Sequence, residues 1–110
     1  MKLIYNKLIP FKGYKILNFF GLLFIRSEYM GTVTSTDINH EMIHSAQIRD
    51  LGYLFFYPWY VIEWLIRLIQ YGSNAYRNIS MEREAYANEK NLWYLEERRP
   101  WSFAKYLRKY

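Results

Sequence analysis

The chain has 110 residues, of which 52% are apolar and 21% aromatic, and it contains no cysteine. That length suits one core and excludes two; the apolar content excludes a disordered chain, and the lack of thiols excludes a disulfide framework and any thiolate metal site. The net charge of +5 is scattered, concentrated only at Lys105, Arg108 and Lys109, a block read as a solvated helix face rather than a membrane-surface or nucleic-acid patch.

The first part of the chain reads as short strands at Lys2 to Tyr5, Tyr14 to Leu17 and Gly21 to Arg26, rich in Ile, Leu and Phe and broken by Pro10 and Gly13. Polar and basic residues (Asn6, Lys7, Lys12, Lys15) interrupt the start, and no small-residue cleavage site follows the apolar run 16–25. The start therefore does not read as a secretory leader, and a cytoplasmic location, with or without attachment to a membrane surface, is expected. The loop Gly31 to Thr36 ends in good helix caps, so a helix is predicted from Thr36 or Asp37 to Asp50, stopping at Gly52.

A second helix is predicted from Pro58 to Gln70, with Gly72 and Ser73 as its stop. Leu54 to Tyr71 is apolar enough to suggest a membrane span, but Glu63 and Arg67 stand in its middle, four residues apart and able to pair. A buried or interfacial helix is the expectation, with the stripe Tyr53, Phe55, Phe56, Trp59, Tyr60, Trp64 in the core or against a membrane or protein partner. A third helix is predicted from Ser80, its cap, to Arg98, ended by Pro100, and a short amphipathic one from Ser102 to Tyr110. The fold expected is α+β, mostly helical, with a small amino-terminal sheet packed on the first helix and on a glutamate-bearing third helix.

His40, Glu41, Met42, Ile43 and His44 form an HExxH motif on the first helix, and they use both of the chain's histidines. Positions four apart share one helix face, so both imidazoles can reach one Zn2+ while Glu41 can take a proton from water beside it. A catalytic zinc normally has three protein ligands. Asp50, six residues after His44, is one candidate, but that arrangement usually has a glycine at position 47, which is Gln47. The other candidates are carboxylates from the third helix, in the run Met81, Glu82, Arg83, Glu84, Ala85, Tyr86, Ala87, Asn88, Glu89.

HEMIH followed after an intervening helix by MEREAYANE resembles the gluzincin group of zinc metallopeptidases. More narrowly, NHEMIHSAQ with YRNISMEREAYANE is similar to a group of small HExxH proteins with an ExExA segment; the resemblance covers roughly Asn39 to Glu89. It implies a minimal zincin-like fold and a third metal ligand from a glutamate three residues before an alanine. Glu82 with Ala85 and Glu84 with Ala87 both fit. The apolar face of Met81, Ala85, Leu92 and Leu95 favours Glu82, leaving Glu84 as a supporting or surface acid.

The expected function is zinc-dependent hydrolysis of a peptide or protein substrate, with Glu41 as general base and His40, His44 and Glu82 on the metal. The alternative is a non-catalytic zincin-like module with a structural zinc, docking on a membrane or a partner through its middle helix. Gln47 is expected either to line the cleft or to face solvent. Tyr71, Tyr76, Arg77 and Tyr86 are candidate donors to a developing oxyanion. By analogy with zincin-like folds, the strand Gly21 to Arg26 is expected to pair with an extended substrate.

Overall fold

The computed structural model describes residues 2–8 and 15–107. Pro10, Gly13 and Tyr14, and the end of the helix expected up to Tyr110, lie outside them. Among the described residues the chain is a small α+β domain of three strands and four α-helices, with β1 Lys2–Asn6, β2 Ile16–Phe19 and β3 Leu22–Arg26. The sheet order is β1-β3-β2, with β1 parallel and β2 antiparallel to β3. Phe20 and Gly21 both have positive φ, which is what a two-residue hairpin turn between twisted strands requires. Along β3 the buried side chains alternate, Leu23 and Ile25 pointing into the core.

Helix α1 spans Ser35–Asp50. Its cap is Thr34 and not Thr36 or Asp37: the Thr34 hydroxyl accepts from the Asp37 amide at 3.1 Å, and the Asp37 carboxylate accepts from the Thr34 amide at 3.0 Å. This reciprocal pair satisfies two amides at once, and that moves the start forward. At the other end Gly52 takes φ 67°, its amide reaching the Arg49 carbonyl while that of Tyr53 reaches Ile48. Such a left-handed exit closes the last carbonyls of a helix, and glycine adopts it without a Cβ penalty.

Helix α2 is Phe56–Tyr71, two residues longer at its start than expected, with Pro58 in its first turn where no amide partner is lost. It is held to α3, Ser80–Asn88, by a buried acid. Glu63 pairs with Arg67 at 3.3 Å, and its carboxylate accepts from both the Ser80 amide and the Ser80 hydroxyl. Ser80 is thus not the cap; its own amide, the first of α3, is met by a carboxylate from another helix, which also suits the positive end of the dipole.

The helix expected over 80–98 breaks after Asn88, and a short α4 covers Tyr94–Glu97. Asn39 of α1 causes the break to be favourable, because its amide donates to the carbonyls of Glu89 at 2.8 Å and Asn91 at 3.0 Å. Residues 102–106 form a 3-10 turn rather than an α-helix. The core joins Ile48 and Leu51 of α1, Phe56 of α2, Ile79 and Met81 at the start of α3, and Phe103. Each such side chain contributes about 1.5–3 kcal/mol through burial. Among the described residues no helix is long and apolar enough to cross a membrane.

Candidate metal centre

Helix α1 buries Asn39, His40, Glu41, His44 and Gln47 alongside Ile43, Ala46 and Ile48. Five buried polar side chains on one helix are costly unless each is satisfied, so their partners define what the helix is for. His40 and His44 stand one turn apart, with Nε2 atoms 3.1 Å from each other. Glu82, in the first turn of α3, brings Oε1 to 3.2 Å from both. The three residues are 4–6% exposed.

The far sides of the rings decide what this hole can hold. His40 Nδ1 lies 2.8 Å from Glu89 Oε2, and His44 Nδ1 lies 2.8 Å from Gln47 Oε1. Gln47 spends its own amide hydrogens on the Met81 carbonyl and on Glu84 Oε1, so its oxygen accepts. Both imidazoles therefore carry hydrogen on Nδ1, which leaves each Nε2 of a neutral ring with a lone pair aimed at the other and at a carboxylate oxygen. Three converging acceptors need a cation among them.

A proton can serve: burial alone would push His44 down, but the Glu82 carboxylate beside it overrides burial and lifts it to about 10. Against its own burial, Glu82 is held well below the ordinary carboxylate range by the same imidazoles. A zinc ion also fits, since ligands about 2.0–2.1 Å from a tetrahedral ion lie roughly 3.3 Å from one another. The group His40, His44 and Glu82 has the donor chemistry and spacing to hold it.

Glu41 is buried beside this group, at the wall of a cleft of about 620 Å³. Burial is the main cause that raises its carboxyl above the ordinary range, partly offset by the two imidazoles. The rest of the cleft wall is mostly apolar, with Leu17, Phe56, Tyr60, Val61 and Trp64 among its side chains.

The other acids are occupied elsewhere. Glu84 is fully buried, accepting from Arg98 Nε at 2.6 Å, Tyr94 OH at 2.6 Å and Gln47. Asp50 accepts from Arg98 Nη2 at 2.7 Å and from the Trp101 amide, so it is a structural anchor and not a ligand. Gln47 is completely buried, so it neither faces solvent nor lines the cleft; it links His44 to Glu84.

Of the four oxyanion candidates only Tyr76 lines the cleft. Tyr86 packs edge-on against His40 at 4.5 Å, Arg77 lies over the Tyr86 ring at 3.7 Å, and Tyr71 accepts from Arg83. The aromatic stripe divides: Phe56 is core, Tyr53, Phe55 and Trp64 are exposed, and the Tyr60 hydroxyl donates to Glu82 Oε2 at 2.7 Å. Strand β3 is central, with both edges taken, so it cannot receive a substrate strand; β2, through Leu17 and Asn18, borders the cleft. Asn18 ties β2 to α1 by donating to the Glu41 carbonyl at 2.8 Å.

Glu89, Tyr60 and Asn18 are site residues that motif reasoning passes over. Glu89 had a signal, lying two helical turns after Glu82 and so on the same face. No protein family matches the chain, and no curated protein or solved structure is similar to it.

Proposed function

We propose that the chain is a zinc-dependent hydrolase of peptide or amide bonds, in which His40, His44 and Glu82 hold the ion and Glu41 is the general base. The observation that carries this reading is the convergence of two imidazole Nε2 atoms and one carboxylate oxygen within 3.1–3.2 Å, each ring fixed from behind by an acceptor. Zinc bound there would supply Lewis-acid polarisation of a carbonyl and a nucleophilic water at neutral pH.

The chain's own residues do the rest. Glu41, whose burial raises its carboxyl above the ordinary range and so makes its carboxylate a stronger base, takes the proton of the attacking water and passes it to the leaving amine nitrogen. Tyr60 holds Glu82 by its second oxygen, so the carboxylate presents Oε1 to the histidines. Tyr76, raised above the ordinary phenol range chiefly by burial and then by the nearby Glu82 carboxylate, keeps its proton at neutral pH and can donate to a developing oxyanion. The apolar wall suits a bulky apolar side chain beside the scissile carbonyl.

Elemental analysis of the purified chain tests the metal, and a peptide library tests the reaction. About one zinc per chain is expected, removable by chelator, with Glu41→Gln retaining the zinc and losing cleavage. Cleavage that survives both chelation and Glu41→Gln would overturn the proposal. Zinc retained with no peptide cleaved, together with a lowered melting temperature for His40→Ala, would instead assign the ion a structural role.

A further inference from the structure

Helix α2 is built inside out. Its only charged residues, Glu63 and Arg67, are buried against the body of the protein, paired with each other and bound to Ser80 and the Leu107 carbonyl. The face turned outward carries Val61, Ile62, Leu65, Ile66, Leu68 and Ile69, between 42% and 89% exposed. At 100° per residue these six span an arc of about 160° on the side opposite Glu63 and Arg67. The polar side chain among the exposed positions of the helix is Gln70.

We propose that α2 docks this protein on an anionic bilayer surface, the helix lying in the interface with its aliphatic arc in the lipid. A protein partner is the poorer match, because protein interfaces carry a hydrogen bond for every 100–200 Å² or so and this arc offers almost none to make. Hydrocarbon asks for none. At 16 residues α2 is short of the roughly 20 needed to cross a membrane, and its mid-helix charges are fixed to the protein body, so the helix lies along the surface.

Charge selects the kind of surface. From Leu51 to Ile79 the one carboxylate is Glu63, which is buried, while Arg77, in the turn packed against α2, is exposed. After Glu97 the sequence has no acid, and Arg99 and Lys105 are exposed. On the flank of α2 next to this arc, Trp59 meets Trp101 at 5.9 Å and Phe103 at 5.4 Å between ring centres, which brings this basic segment against the helix. An apolar face with a basic border, and with no exposed acid in residues 51–79 or 98–107, complements anionic headgroups. Val61 and Trp64 belong both to the cleft wall and to the exposed side of α2, so docking would hold the cleft at the lipid surface. The docking itself does not rest on the hydrolase proposal.

Co-sedimentation of the full chain with vesicles tests this, using phosphatidylcholine alone and phosphatidylcholine mixed with phosphatidylglycerol. The wild type is expected to pellet with the mixed vesicles, less with phosphatidylcholine, and less again in high salt. Ile62→Glu with Ile69→Glu, at positions 60% and 89% exposed, should reduce the bound fraction by roughly tenfold or more while circular dichroism is unchanged. Ile62→Leu with Ile69→Leu should bind as wild type. The proposal is overturned if the wild type stays in the supernatant or if the glutamate variant pellets equally well. It is also overturned if light scattering shows a wild-type dimer that the glutamate variant dissolves, for then a second copy covers the face.

Discussion

Glu89 Oε2 sits 2.8 Å from Nδ1 of His40, on the side of the ring away from Glu82. It is placed there by its helical backbone at the end of α3, two turns after Glu82, and Asn39 of α1 donates to its carbonyl. A carboxylate behind a ligating imidazole fixes its tautomer and raises its basicity. Glu89→Ala is therefore expected to weaken zinc binding by roughly 10–100-fold with little change in melting temperature, and Glu89→Gln to recover most of it. Competition with a chromophoric chelator measures this; an alanine variant that binds as wild type removes Glu89 from the site.

The two glutamates on α3 should fail in different ways. Glu82→Gln should lose zinc and keep the fold, since Tyr60 can still bond to the amide oxygen that replaces Glu82 Oε2. Glu84→Gln should keep the ligand set but weaken the charge cluster of Glu84, Arg98 and Asp50, and Glu84→Ala should go further. Removing one member of a buried ion pair costs about 3–5 kcal/mol. For a chain of this size that lowers the melting temperature by more than roughly 10 °C. Thermal melts with parallel zinc analysis separate the two; a Glu84 variant as stable as wild type would contradict the assignment.

What the sequence makes legible here is local. The end of α1 at Gly52, the pairing of Glu63 with Arg67, and a mostly helical α+β domain follow from caps, spacing and stop residues. The true start of α1 was also legible, because Thr34 and Asp37 have the three-residue spacing of a capping box. Long-range bonds were not. Nothing near Ser80 announces that Glu63, seventeen residues earlier, will meet its amide, or that Asn39 will take the carbonyls beyond Asn88. The same gap hid the role of Tyr60, which reaches Glu82 from a different helix. It also hid the inversion of α2: the i,i+4 spacing shows that Glu63 and Arg67 can pair, and not that both turn inward because the acid meets the start of a neighbouring helix.

Asp37 makes the stability of α1 depend on pH. Burial pushes its carboxyl up, but Lys15 Nζ at 2.7 Å and the Thr34 amide and hydroxyl outweigh that, so it ionises below its ordinary value. A carboxyl depressed on folding contributes stability fully present above its unfolded value of about 3.9 and lost as pH falls through the folded one. Urea melts of wild type and Asp37→Asn should therefore differ most near neutral pH and converge as the pH falls below about 4. Equal differences at all pH values would show that the carboxylate charge contributes nothing. Thr34→Ala should cost about 0.5–2 kcal/mol.

Tyr60 and Tyr76 both stand near the Glu82 charge, and their hydroxyls have different partners, that of Tyr76 accepting from the Tyr86 hydroxyl at 3.3 Å. The Tyr60 hydroxyl donates to Glu82 Oε2, while Tyr76 borders the cleft in which a substrate carbonyl would lie. Tyr60→Phe leaves a carboxylate oxygen without its donor, so it should loosen the ligand and lower zinc affinity, with cleavage restored by excess zinc. Tyr76→Phe should leave zinc affinity unchanged and lower kcat by about 10²–10³, with KM little altered, because a donor to a developing oxyanion acts only in the transition state. Each variant is thus assayed twice, by chelator competition and by steady-state cleavage with zinc in excess. Should Tyr76→Phe lose zinc, or cleave as fast as wild type, another donor stabilises the oxyanion.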